Sequence, residues 1–185
     1  MPKQRVVRHE VVQPLDTSYR LIPLTQGQNA IVDALDFEWL SKYNWYAQWC
    51  ECTQSFYARR HLPTTNEKRP ILPMHREILG CSPAEEGDHK NHDTLDNRRN
   101  NLRKCTRAEN IRNREMHRCN KSGFKGVSRV RNGRGTLCST WRAVIRKDRK
   151  RVHIGCFATA KEAAAAYDQA AKTYFGDFAH VNFQS

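Results

Sequence analysis

No run of apolar residues in this sequence approaches the ~20 needed to cross a bilayer. The amino-terminal Met1-Pro2-Lys3-Gln4-Arg5 places charge where a signal peptide carries an apolar core. Both absences predict a soluble, cytoplasmic protein, of a bacterial or phage-infected cell, with no membrane partner. Also missing is the paired C-x-x-C spacing of a zinc knot. Cys50 and Cys52 form a C-x-C, and Cys81, Cys105, Cys119, Cys138 and Cys156 are scattered singly. Seven is an odd total, which suits reduced thiols better than a disulfide framework. The expectation is isolated buried thiols and no structural zinc, with a four-cysteine zinc knot as the alternative. Acidic residues are scarce as well, 19 against 32 Lys and Arg, for a net charge of +13.

Such an excess suits a polyanionic partner, because each phosphate neutralised releases condensed counterions. A basic tail would carry similar charge. Here the basic residues are interleaved with Trp, Phe, Val and Ile, which places them in folded elements.

Three stretches differ in texture. Residues 1–73 are rich in aromatic and β-branched residues. Residues 20–25 and 30–33 read as strands about a Gln26-Gly27 turn, and 36–43 as a short helix with Phe37, Trp39 and Leu40 turned inward. Residues 45–49 and 56–60 alternate as a hairpin does. The second stretch, 74–118, is dense in Asn, Asp, His and Arg. It opens with a short packing helix, 74–80, in which His75 is structural. The third, 121–185, follows a polar linker at 118–123. It holds 13 Lys and Arg against 4 Asp and Glu, a net of +9, which leaves +4 for the first 120 residues.

The segment 88–110 carries the chemistry. A polar turn at 91–97 leads to a short strand at 101–105. Thr106 and Glu109 then stand at capping-box spacing and open a helix from Arg107 to about residue 114, with Asn110 and Asn113 on one face. Phosphodiester hydrolysis needs an activated water, a cation against the pentacovalent charge and a proton for the leaving oxygen. An imidazole supplies the base near neutral pH. A carboxylate and an amide oxygen suit Mg²⁺ or a similar divalent ion. Asp88, His89 and Asn110 offer that set. Asp88 and His89 are adjacent, so a strand end or bulge must let both reach one site. His92 rivals His89 as the base. Read singly, Asp88-His89 is a surface turn, Asn101 closes that turn and Asn110 is a solvated helix residue.

Together these residues resemble the HNH nucleases of ββα-metal fold, especially the phage and intron-encoded homing type. His89, Asn101 and Asn110 are separated by 12 and 9 residues, and the runs 95–98 and 101–103 add to the likeness. The last position is Asn, as in the HNN variants. The resemblance implies His89 as general base, Asn101 as the residue that orients it, and Asp88 and Asn110 as metal ligands. Arg98, Arg99, Arg103, Arg107 and Arg112 are candidate phosphate contacts. A looser likeness to the amino-terminal part of phage HNH proteins runs through Gly27, 30–33, Trp39, Leu40, Trp45 and 57–59.

In the third stretch, 124–131, 140–147 and 151–157 alternate as three strands. Thr159 and Glu162 form another capping box before an Ala-rich helix at 160–175, ended by Gly176. Trp141, Ala143 and Ile145 share one face of their strand, and Arg142, Val144 and Arg146 the other. One face of the sheet is predicted to pack the helix and the other to be cationic. A three-stranded sheet can lie in the major groove, where base edges are distinguishable. Residues 125–127, 141–146, 154–157, 163–171 and 182–183 resemble the plant APETALA2/ethylene-response DNA-binding domain over nearly all of 123–183. That resemblance implies reading by the sheet, with Arg146 and Arg151 at basic positions. Ser128 and His153 stand where an Arg and a Trp are expected.

The whole is read as an α+β chain. A ββα-metal nuclease module with an amino-terminal β-rich extension occupies 1–120, with the motif itself at about 84–116. An antiparallel three-stranded sheet on one helix occupies 121–185. The expected function is site-selective DNA cleavage with a divalent metal, as in homing endonucleases, with double-stranded DNA as partner. Arg98, Arg99, Arg103, Arg129, Arg142, Arg146, Arg151 and His153 are the expected DNA contacts. The alternatives are a non-catalytic, sequence-specific DNA-binding regulator with a vestigial HNH segment, and a nuclease acting on RNA. The second lacks stacking aromatics beside a basic groove.

Overall fold

The computed structural model describes residues 8–64, 69–113, 120–148 and 150–183, apart from the side chain of Arg112. It is an α+β fold of small antiparallel sheets with few helices. The chain divides into two compact units, Met1–Arg107 and Ala108–Ser185. The division falls before the stretch 118–123 expected as linker, of which residues 118 and 119 lie outside the described residues.

In the first unit, β1 (Tyr19–Pro23) and β2 (Asn29–Asp33) pair as a hairpin. Gln26 and Gly27 turn the chain with φ of 58° and 69°, so the tight reversal uses left-handed backbone at both positions. Helix α1 (Ala34–Leu40) begins and ends earlier than the expected 36–43. Its N-cap, Asp33, makes no side-chain capping bond there. Instead the carboxylate accepts the backbone N–H of Arg99 at 2.7 Å, a tertiary contact that local spacing does not encode.

Strands β3 (Tyr46–Cys50), β4 (Ser55–His61) and β5 (Ile71–Pro73) form the next sheet, and α2 (Met74–Leu79) follows. Gly80 caps α2 in the left-handed region. Trp45, Leu40, Val32, Met74 and Leu24 are almost wholly buried in this unit's core. The Trp45 indole N–H donates to Leu40 O at 2.8 Å, so the largest core side chain is also satisfied. Strand β6 (Glu86–His89) pairs with β7 (Leu102–Cys105) in unbroken register, Asp88 opposite Arg103 and His89 opposite Leu102. Helix α3 (Arg107–Asn113) comes next along the chain.

The second unit is built on β8 (Val127–Arg131), β9 (Leu137–Lys147) and β10 (Lys150–Phe157), with β9 central. Strand β8 starts later than the expected 124, because side chains hold the chain there in place of a sheet partner. Asn120 Nδ2 donates to Phe124 O, and Asn182 Oδ1 accepts from Lys125 N. Helix α4 (Ala160–Phe175) covers one face, and both bonds of the Thr159–Glu162 capping box are present. Ala143, Ile145 and Val127 from the sheet meet Ala163, Ala164, Tyr167 and Ala171 from α4. A Cβ on Gly126 would lie 2.1 Å from the Tyr167 ring, so only glycine lets that aromatic side chain close the core. Asp168, buried on α4, accepts the backbone N–H groups of Asn182 and Phe183 and the Asn182 amide, and so ties the end of the chain to the helix.

The expectation of isolated buried thiols is corrected. Among the described residues only Cys105 is buried, while Cys52 and Cys156 are exposed. Cys50 and Cys52 are not isolated, because the β3–β4 turn brings their Sγ atoms to 2.9 Å. Cys119 lies outside the described residues.

Candidate functional site

Two clusters draw the predicted residues together, one in each unit. In the second unit, strand alternation separates the faces of the sheet. Arg142, Arg146, Arg151 and His153 are all exposed, on the face away from α4. Register sets Arg146 opposite Arg151, His153 opposite Val144, and Ser128 opposite Arg142. A register shift between His153 and Gly155 bends β10 beside them. The His153 ring lies 3.6 Å from Cys156 Sγ. Arg129 stands apart from this set. It pairs in register with Trp141, the parity of the helix-packed face, and its guanidinium lies 5.1 Å from the indole centroid.

In the first unit, His89 ends β6 and is 5% exposed, with Asp88 beside it at 7%. The two diverge. Asp88 Oδ2 accepts from the Arg103 guanidinium at 2.8 Å and 2.7 Å across the β6–β7 pair. His89 and Gly87 share the other face, over His75: the His75 and His89 rings sit at 4.8 Å, edge to face, and a Cβ on Gly87 would meet His75 at 2.6 Å. Tyr57 approaches His89 at 6.3 Å. The strand runs through both positions without a bulge, so β6 itself does not turn Asp88 and His89 to one side.

Burial pushes the His89 imidazolium below the usual histidine range. It prevails over the Asn97 hydrogen bond and the carboxylates of Asp88, Asp93 and Asp96, which favour the charged ring. His75 is pushed down further, by burial first and then by the charge of His89. Both rings are therefore neutral near pH 7, and a neutral ring nitrogen is able to accept a proton.

Asn101, expected to orient His89, is buried and acts on the loop. Its Oδ1 accepts the Asn91 N–H at 3.0 Å and its Nδ2 donates to Asp96 O at 2.8 Å. The amide that reaches the His89 ring belongs to Asn97, whose Oδ1 is 3.4 Å from Nε2. Asn97 is almost wholly buried, and its N–H donates to Ile31 O, which anchors the loop on β2. Its polar neighbours in sequence disguised it as a turn residue; the full burial of an Asn was the missing signal. His92, the rival base, sits in the turn with φ of 65°. Asn110 lies on α3 and is half-buried.

The arginines expected to meet phosphate in this unit are engaged within it. Arg98 grips Asp96, Arg99 grips Asp36 with both its Nε and terminal nitrogen, and Arg103 holds Asp88. Asp36 and Asp96 are buried, and these guanidinium bonds hold their carboxyls below the usual range despite the burial that opposes it. Arg107 is exposed, and the Arg112 side chain lies outside the described residues.

No family model matches the chain. Two curated proteins are similar to part of it. A 71-residue match, 37% of the chain, is 41% identical to dehydration-responsive element-binding protein 2A of Arabidopsis thaliana, and covers 18% of that protein. A 67-residue match, 31% of the chain, is 40% identical to dehydration-responsive element-binding protein 2E of the same plant, and covers 28% of it. The chain thus spans less than a third of either relative. No helix of the described residues is long and apolar enough to cross a membrane. Among them no three His, Cys, Asp or Glu side chains converge as a metal site.

Proposed function

We propose that the chain is a sequence-specific DNA-binding protein that reads duplex through the exposed face of β8, β9 and β10. One observation carries this reading: Arg142, Arg146, Arg151 and His153 project from one solvent-exposed sheet face whose opposite face is sealed by α4. Guanidinium groups so placed suit bidentate contact with guanine O6 and N7 in the major groove. The similarity of part of the chain to two proteins named for binding a responsive element supports it. That support favours the non-catalytic, sequence-specific regulator over the nuclease. The test is selection of bound duplexes from a random pool, followed by anisotropy titration. An enriched sequence that outcompetes random DNA supports the reading, and equal affinity for all duplexes overturns it.

A second reading is favoured by the buried, neutral His89 at the end of β6 and by the order β6, β7, α3 along the chain. In it the chain also hydrolyses DNA, site-selectively, as homing endonucleases do. His89 takes the proton of the attacking water, Asn97 sets the ring, and Asn101 braces the loop that carries Asn97. Asp88 brings a carboxylate oxygen of the kind that suits a hard divalent cation such as Mg²⁺, which would offset the charge that develops on the phosphate. Arg103 already engages Asp88 Oδ2 and competes for that oxygen. Incubation with supercoiled plasmid, with and without Mg²⁺, tests this reading: metal-dependent nicked or linear product supports it.

A further inference from the structure

Cys50 ends β3, and Cys52 lies in the turn before β4. Their sulfurs are 2.9 Å apart. A disulfide has ~2.05 Å between sulfurs, so less than an ångström of motion separates the thiol pair from a bond. The turn around them is braced on both sides. Gln54 Nε2 donates to Glu51 O at 2.9 Å and to its carboxylate at 3.0 Å, the Trp49 indole donates to that carboxylate, and Ser55 Oγ donates to Thr53 Oγ1. Gln54 itself has φ of 50°, so the reversal is completed with left-handed backbone just after Cys52 and Thr53. Cys52 is exposed and Cys50 half-buried, so a small reagent reaches the pair.

We propose that Cys50 and Cys52 form a reversible dithiol–disulfide site that exchanges with low-molecular-weight disulfides such as oxidised glutathione. The Cys50 thiol carries the first step. Its hydrogen bonds from Cys52 and Thr53 lower it to about 7, so a large fraction is thiolate near neutrality. Cys50 Sγ attacks one sulfur of the glutathione disulfide. That S–S bond breaks, and one glutathione leaves with the electron pair and takes up a proton. Cys52 then loses its proton to solvent and attacks Cys50 Sγ, expelling the second glutathione. The protein loses two electrons and two protons, and the glutathione disulfide becomes two thiols. Cys81, by contrast, is pushed up by burial, and Cys105 is buried.

The experiment equilibrates the full chain in glutathione buffers of graded reduced-to-oxidised ratio, quenches in acid, alkylates and maps the peptides. The peptide that holds Cys50 and Cys52 is expected to pass from doubly alkylated to unalkylated and lighter by two hydrogens, reversibly on return to reduced glutathione. C52S is expected to stop at a stable glutathione adduct on Cys50. In the reduced protein, alkylation of Cys50 near pH 7 should be ~10-fold or more faster in the folded chain than in urea, where the turn that holds it beside Cys52 is lost. A wild-type protein that stops at the glutathione adduct, or whose 50–52 peptide stays doubly alkylated in excess oxidised glutathione, overturns the proposal.

Discussion

Arg146 and Arg151 occupy directly opposite positions on β9 and β10, on the exposed face of the sheet. Like charges so placed repel across the strand pair, and a polyanion laid over them relieves the repulsion. Lys147, opposite Lys150, has the other parity, and its ammonium lies 4.7 Å from the centroid of the Tyr174 ring on α4. Arg142, Arg146 and Arg151 thus gather positive charge on a regular surface, where spacing along the strands is able to match spacing along a groove.

Arg146→Ala and Arg151→Ala are each expected to cost about 1–3 kcal/mol of discrimination between selected and random duplex, as the loss of a bidentate guanine contact does. Anisotropy titrations on both duplexes, over a series of salt concentrations, measure it. A uniform loss on every sequence with a shallower salt slope would instead assign both residues to phosphate.

His89→Ala is expected to abolish metal-dependent plasmid nicking, by about 10²–10⁴-fold in rate, while duplex affinity is unchanged. The motive is a buried ring kept neutral at the end of β6. Nicking at the wild-type rate would remove His89 from the mechanism and turn attention to His92.

Gly126→Ala should destabilise the second unit by about 1–3 kcal/mol or more through overpacking. The added methyl meets the Tyr167 ring at 2.1 Å, and the backbone there has φ of 75°. Gly133→Ala serves as the control, since a Cβ there meets nothing within 4 Å. Equal melting temperatures for the two variants would contradict the packing described.

Burial lowers Lys125 from 10.5 to about 8. Between those values the unfolded chain binds the proton and the folded chain does not, so stability rises with pH across the interval. Below about 8 both states are charged and the cost of burying the ammonium is fully present. Lys125→Met is therefore expected to be more stable than wild type near pH 7, with the gap closing toward pH 10. Urea denaturation of both proteins at the two pH values measures the gap. A gap of the same size at both would show that the ammonium is not the cause.

Much of this fold is legible in the sequence because it is specified locally. The alternation of 141–146 assigns Ala143 and Ile145 to the core and Arg142 and Arg146 to the exposed face, and the structure keeps that assignment. Thr159 and Glu162 announce the start of α4 because a capping box satisfies backbone donors within one turn. The β3–β4 hairpin and the strand at 102–105 are likewise periodic over a few residues. His89 ends β6 beside residues that local pattern did not place there. His75 and Tyr57 come from α2 and β4, and no local rule brings them to β6.

The charged side chains mark the same boundary most plainly. From sequence alone Arg98, Arg99 and Arg103 are a solvated basic face open to phosphate. Arg99 finds Asp36 across 63 positions of chain and Arg103 finds Asp88 across 15, and a buried carboxylate left without such a partner is costly. The Cys50–Cys52 contact belongs with them, since it depends on how a braced turn aims two side chains. Periodicity and capping act within a few residues, so the sequence by itself determines elements and faces. Which polar groups meet is decided by the cost of leaving a buried charge or amide unsatisfied, and that cost arises only once the chain has closed around them.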